Sequence, residues 1–134
     1  MLCFMGHALM ENRHGLVVQG DLTRADGHAE RKAARDMLHR YSPGSTRKPT
    51  LGADKACDAA GLWPICAGPC VMPHVAQKAR HPAIDGRTTR HEGSALSIKH
   101  RKQIEEPFGW ARTVGGMAQT VYRGVERVRS RFIL

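Results

Sequence analysis

The chain has 134 residues, 21 of them Lys or Arg and 12 Asp or Glu, giving a formal charge of +9 with histidines neutral. That length suits one ordinary domain with a single core, and an aromatic content of 5% leaves the core to Leu, Val, Ile, Ala and Met. The basic surplus (pI near 10.0) suits a polyanionic partner or plain solubility, and no apolar run approaches the ~20 residues that a membrane-spanning helix requires.

Residues 1–10 are apolar but few, carry Gly6 and His7, and lack a basic start, so they do not read as a secretory signal. The expectation is a cytoplasmic, reduced chain in which Cys3, Cys57, Cys66 and Cys70 are free thiols. Two apolar stretches, 2–10 and 15–22, flank the turn residues Asn12, Arg13, His14 and Gly15, which predicts a β-hairpin. Asp26-Gly27 ends the second strand, and Asp26 is placed to cap a helix. In that helix Ala29, Ala33, Met37, Leu38 and Tyr41 recur at spacings of three and four, with Arg31, Lys32 and Arg35 on another side.

Residues 42–49, "SPGSTRKP", stop the helix in a loop. "TLGADKACDAAG" predicts a short buried strand that opens at Asp54 into a helix start, which "LWPICAGPC" then denies with Pro64, Gly68 and Pro69. "CVMPHVAQ" predicts a strand that Pro73 confines to an edge. Residues 80–92 read as an exposed basic loop. A helical tendency returns near Leu96, meets Pro107, resumes through Trp110–Val114 and yields to Gly115-Gly116. "MAQTVYRGVERVRSRFIL" predicts a last basic helix, with Val121, Val125 and Val128 on one side and Arg123, Arg127 and Arg131 on another. The expected class is mixed α/β, with no internal repeat, glycine-rich phosphate loop or low-complexity tract.

Three groupings could carry chemistry. Asp54 stands at the C-terminal end of an expected strand, where open α/β sheets place functional groups, although such a residue can also simply turn the chain or cap a helix. Arg101, Glu105 and Arg112 lie at offsets of four and eleven, within roughly 40° on an uninterrupted helix. They could serve a metal and a phosphodiester or form an ordinary solvated salt-bridge face. Pro107 fits the first turn of a helix that begins near Glu105, or else kinks a longer one. Cys66-x3-Cys70-x3-His74, with Cys57 as a fourth ligand, could bind zinc, although the spacing is not that of a standard knuckle. The other histidines (His7, His14, His28, His39, His81, His91 and His100) are scattered, with no metal-binding pair at helical spacing, and receive no catalytic role.

"LGADKACDAAG" together with "HRKQIEEPFGWARTVGG" resembles the catalytic region of bacterial DDE-type insertion-sequence transposases. The group concerned carries a Tyr-x2-Arg-x3-Glu-x6-Lys signature, and the likeness runs from "LCFMGHALMENRHGLVVQGDLTRADGHAERKAA" to the C-terminal "MAQTVYRGVERVRSRFIL". The resemblance implies a ribonuclease-H-like mixed sheet whose carboxylates hold two Mg²⁺ ions for in-line attack on a phosphodiester. Asp54 matches the second acidic residue and Glu105 the third, both metal ligands in the family. Arg101 matches the signature arginine, Arg112 stands in place of its lysine, and Arg101, Lys102 and Arg112 would contact DNA phosphates. Phe108 and Trp110 would anchor the helix.

Ile98 stands where the signature has tyrosine, and Ala56-Cys57-Asp58 where the family has Gly-Tyr-Asp. "LWPICAGPC" reads as drifted or frame-shifted sequence, since each interior proline costs a helix ~3 kcal/mol. The family's first acidic residue, on the central strand of its sheet, has no match here. Residues 1–134 are therefore expected to form a partial DDE catalytic domain, an incomplete ribonuclease-H-like α/β fold made of a hairpin, a helix, short strands and C-terminal helices. The expected partners are the DNA of insertion-sequence ends and full-length transposase, near the nucleoid, without transposition by this chain alone. A non-enzymatic basic DNA-binding protein and a functionless relic are the alternatives.

Overall fold

The computed structural model describes residues 3–41, 49–54, 57, 66, 71–119 and 121–133. Residues 42–48 and most of the segment between Asp54 and Val71, with the loop and helix start expected there, lie outside the described residues. The chain is mixed α/β and divides into two compact units, Met1–Met37 with Gln103–Leu134, and Leu38–Lys102.

The first unit is built on an antiparallel hairpin of β1 (Phe4–Glu11) and β2 (Leu16–Arg24). Its turn forms because the Glu11 carboxylate accepts the backbone N–H groups of Arg13 at 2.6 Å and His14 at 2.8 Å. Gly15 then takes φ +69°, a left-handed conformation that glycine adopts without a Cβ penalty. Register pairs His7 with Asp21 and Ala8 with Gly20, with an irregularity between Leu9 and Met10. Alternation therefore puts Gly6, Ala8, Gly20 and Leu22 on one face of the ribbon and His7, Asp21 and Thr23 on the other.

Helix α1 (Ala29–Tyr41) begins where expected: Asp26 accepts the His28 N–H at 2.6 Å. That hydrogen bond, ahead of a smaller opposing desolvation and with help from Lys32, holds the Asp26 carboxyl below its ordinary range. Ala29, Ala33, Met37 and Leu38 are buried, whereas Tyr41 is half exposed and does not complete the apolar stripe. The Gln19 side chain donates to the Met37 carbonyl at 3.1 Å and ties β2 to this helix.

The second unit contains a parallel pair, β3 (Thr50–Ala53) and β4 (Met72–Val75), in register from Thr50 opposite Met72 to Ala53 opposite Val75. Leu51, Val71, Pro73, Val75, Ile84, Cys57 and Cys66 form its core. Among the described residues β4 pairs on one side only, so Pro73 does sit in an edge strand. The exposed loop expected at 80–92 is corrected: Ile84 is buried there, its carbonyl accepts the Gln77 amide at 2.6 Å, and Gly86–Thr89 forms a helical turn, α2. Helix α3 (Glu92–His100) starts four residues before the expected point, because His91 Nδ1 accepts the Gly93 N–H and caps it.

A 3₁₀ turn, Arg101–Ile104, leads into α4 (Glu105–Thr113). Pro107 therefore occupies the first turn of α4, where its missing N–H costs no helical bond. The Gly115 and Val114 N–H groups both return to the Trp110 carbonyl, Gly116 takes φ +62°, and the helix ends there. The expected long terminal helix is shortened: Gly124 at φ +92° precedes α5 (Val125–Ile133). Val128 is buried, but Val121 lies outside the helix and is 87% exposed.

Candidate functional site

Asp54 directly follows β3, and the Arg101 guanidinium donates from Nη1 to its Oδ1 at 2.7 Å. A carboxylate at the end of a parallel strand and an arginine 47 positions later thus meet within the second unit. The Asp54 side chain is 63% exposed and that of Arg101 30%, so the pair is open to solvent and adds little stability by itself. The Asp54 backbone carbonyl also accepts the Cys57 N–H at 2.8 Å, so this residue turns the chain as well as presenting its side chain. Carboxylate oxygens suit a hard cation such as Mg²⁺, and an ion at Asp54 would have to share or displace Arg101 at Oδ1.

Glu105 opens α4 in the first unit, and Arg112 follows two turns later on the same face. Both are exposed, as is Lys102, and none of the three has an ion-pair partner among the described residues. One helical face shared by Arg101, Glu105 and Arg112 was expected. The 3₁₀ turn that holds Arg101 removes the uninterrupted helix on which that alignment depended. The anchor is corrected too. Phe108 stacks on Phe132 of α5 with ring centroids 6.2 Å apart, but Trp110 is 68% exposed and anchors nothing.

Phe132 lies across the small-residue face of the hairpin. A Cβ on Gly6 would come within 2.8 Å of its ring, and one on Gly20 within 3.6 Å. On the opposite face, His7 Nε2 and Thr23 Oγ1 are 2.8 Å apart, and Asp21 accepts the Leu22 N–H at 2.8 Å and pairs with Arg129 of α5 at 3.1 Å. Burial pushes the His7 pKa down, against the opposing pull of Asp21 and then Glu30. Sequence reasoning missed this cluster. The available signal was that His7 and Asp21 fall on one face once the hairpin register is drawn.

In the second unit α3 packs against β3 and β4 with Ser94 and Ser97 buried, while Leu96 is 58% exposed. Among the described residues the buried Ser94 and Ser97 hydroxyls and His74 Nδ1 have no hydrogen-bond partner, each at a cost of about 1–3 kcal/mol if left dry. Cys3, Cys57 and Cys66 are in no disulfide, and burial pushes the Cys66 thiol up to about 11. Cys70 lies outside the described residues. Among the described residues no group of three or more His, Cys, Asp or Glu side chains is arranged to hold a metal ion, and no helix is long and apolar enough to cross a membrane.

Comparison with family models, curated proteins and solved structures finds no match to this chain.

Proposed function

We propose that the chain is part of a DDE-type transposase catalytic domain of ribonuclease-H-like fold, and that it binds DNA through its phosphates. The observation that carries this reading is the meeting of Asp54 with Arg101 at the end of a parallel strand. Two residues matched to separate motifs of the family are thereby paired in one place. The element order supports it further: a hairpin, a helix, then a parallel pair with the carboxylate directly after its first strand. The resemblance assigns Asp54 and Glu105 as Mg²⁺ ligands and Arg101, Lys102 and Arg112 as phosphate contacts. Mg²⁺ would polarise the phosphodiester and activate the attacking oxygen. Two carboxylates without the third hold two ions poorly, so these residues bind DNA and do not by themselves complete strand transfer.

DNA affinity measured across a salt series tests the reading. Arg101→Ala and Arg112→Ala each reduce the salt slope by about one. Asp54→Ala and Glu105→Ala leave it unchanged or raise affinity by removing negative charge. Binding that ignores salt, or that is indifferent to both arginines, refutes it. A second reading is favoured by the charge of +9 and by the exposed Arg123, just before α5, and Arg127, within it: a basic DNA-binding protein without chemistry. The two separate in a Mg²⁺ titration, since only the first requires Asp54 for an effect of the cation on DNA binding.

A further inference from the structure

Two imidazoles flank Gly93 in the second unit. His91 caps α3 by accepting the Gly93 N–H on Nδ1 at 3.1 Å, and its ring is exposed. His74 comes from β4 and is 5% exposed. A Cβ added to Gly93 would lie 3.0 Å from His91 Nδ1 and 3.7 Å from His74 Cε1. The absent methyl group thus leaves a space that borders both rings. Cε1 is the His74 atom nearest that space, and the Nδ1 bonded to it is buried and has no hydrogen-bond partner among the described residues. The two rings are also close enough to interact electrostatically.

A buried ring nitrogen without a partner calls for a water or an ion. Neutral imidazole is a ligand for zinc and its neighbours rather than for Mg²⁺ or Ca²⁺. We propose that a divalent transition-metal ion of the zinc class binds beside Gly93 through Nδ1 of His74 and Nδ1 of His91, with water completing its coordination. For metal–nitrogen bonds of about 2.0–2.1 Å the exposed His91 ring has to turn toward His74. In doing so it gives up the Gly93 N–H, so ion binding and capping of α3 compete for one lone pair. The site uses neither Asp54 nor Glu105 and is independent of the phosphodiester reading. It also differs from the zinc arrangement considered at Cys66-x3-Cys70-x3-His74 with Cys57, in which every ligand but His74 is a thiolate.

The test is a calorimetric Zn²⁺ titration of the whole chain near neutral pH, paralleled by Co²⁺ absorption spectra. Gly93→Ala fills the space with a residue that helices favour. His91→Asn removes the imidazole and keeps a good capping oxygen. Both variants should unfold at the metal-free wild-type midpoint or above it. Each should lose one Zn²⁺ equivalent or weaken it by at least about tenfold. Saturating Zn²⁺ should raise the midpoint of the wild type and of neither variant. The Co²⁺ spectrum of the lost equivalent should carry no sulfur-to-metal charge-transfer band. The proposal is overturned if both variants bind Zn²⁺ as the wild type does, or if the lost equivalent shows that band and so belongs to cysteines. It is equally overturned if the wild type binds no Zn²⁺, which would leave a water as the partner of His74.

Discussion

Gly6→Ala and Gly20→Ala form a matched pair that reads out whether Phe132 is seated on the hairpin. Both glycines are in strands and on the same face, and neither has a positive φ. In a strand interior alanine is favoured over glycine by roughly 0.5–1 kcal/mol, so propensity alone stabilises both variants equally. Packing does not treat them equally. The new Cβ at Gly20 meets the Phe132 ring at 3.6 Å, an ordinary contact, whereas at Gly6 it lies 2.8 Å from Cε2 and from Cζ. The ring cannot retreat freely, because it stacks on Phe108 and such a pair is worth about 0.5–1.5 kcal/mol. Overpacking of this kind costs about 1–3 kcal/mol. Propensity cancels in the difference, so Gly6→Ala should be less stable than Gly20→Ala by that same amount. With a urea m-value of about 2 kcal/mol/M, a difference of 2 kcal/mol separates the two midpoints by about 1 M. Phe132→Leu in the Gly6→Ala background should recover part of the loss, with a coupling energy of at least ~0.5 kcal/mol. Equal midpoints for the two alanine variants, or strict additivity with Phe132→Leu, would refute the seating of α5 on the sheet.

Stability should fall as pH drops below about 6.5, because His7 and His74 have folded pKa values lowered by burial and the unfolded chain then binds more protons. Their contribution is complete above the unfolded histidine pKa and is lost as pH falls toward the folded values. His7→Gln should flatten the pH dependence of the urea midpoint, and an unchanged slope would refute a neutral His7. Arg129→Ala should cost about 1–2 kcal/mol, above a surface pair and below a fully buried one, since the Asp21 side chain is 11% exposed and that of Arg129 36%. Thermal unfolding of the variant checks this, and a loss near zero would mean that the pair does not hold α5. Alkylation at pH 8 followed by mass spectrometry should modify the exposed Cys3 well before Cys66, which is buried and has its thiol pushed up to about 11. Equal rates would show that the core around Cys66 opens readily.

The hairpin, α1 and the strand before Asp54 were legible because each obeys a local rule. Turn residues separate two apolar runs, an aspartate caps a helix of period 3.6, and a short apolar run ends in a carboxylate. Helix α3 was misplaced because its pattern is inverted. Ser94 and Ser97 face inward and Leu96 faces out, so a search for apolar periodicity finds the helix late and on its wrong side. The valine spacing from Val121 through Val128 suggested one long helix, but Gly124 at φ +92° interrupts it. A backbone break at one residue outweighs a periodic pattern on both sides of it.

The same distinction governs the candidate sites. Asp54 could be picked out because its position relative to a strand is a local property, whereas its pairing with Arg101 depends on a separation of 47 residues that no spacing rule reaches. The slot for Phe132 and the space between His74 and His91 share one physical origin. In both, glycine supplies room rather than an interaction: Gly6 and Gly20 for a ring, Gly93 beside two imidazoles. A missing side chain has no period, charge or hydropathy by which a sequence could announce what occupies its place. Substituting alanine at Gly6 and at Gly93 therefore asks one question of both places. At Gly6 the occupant is the protein's own Phe132, so the variant should lose stability. At Gly93 the proposed occupant is an ion, so the metal-free variant should keep its stability and lose only the binding.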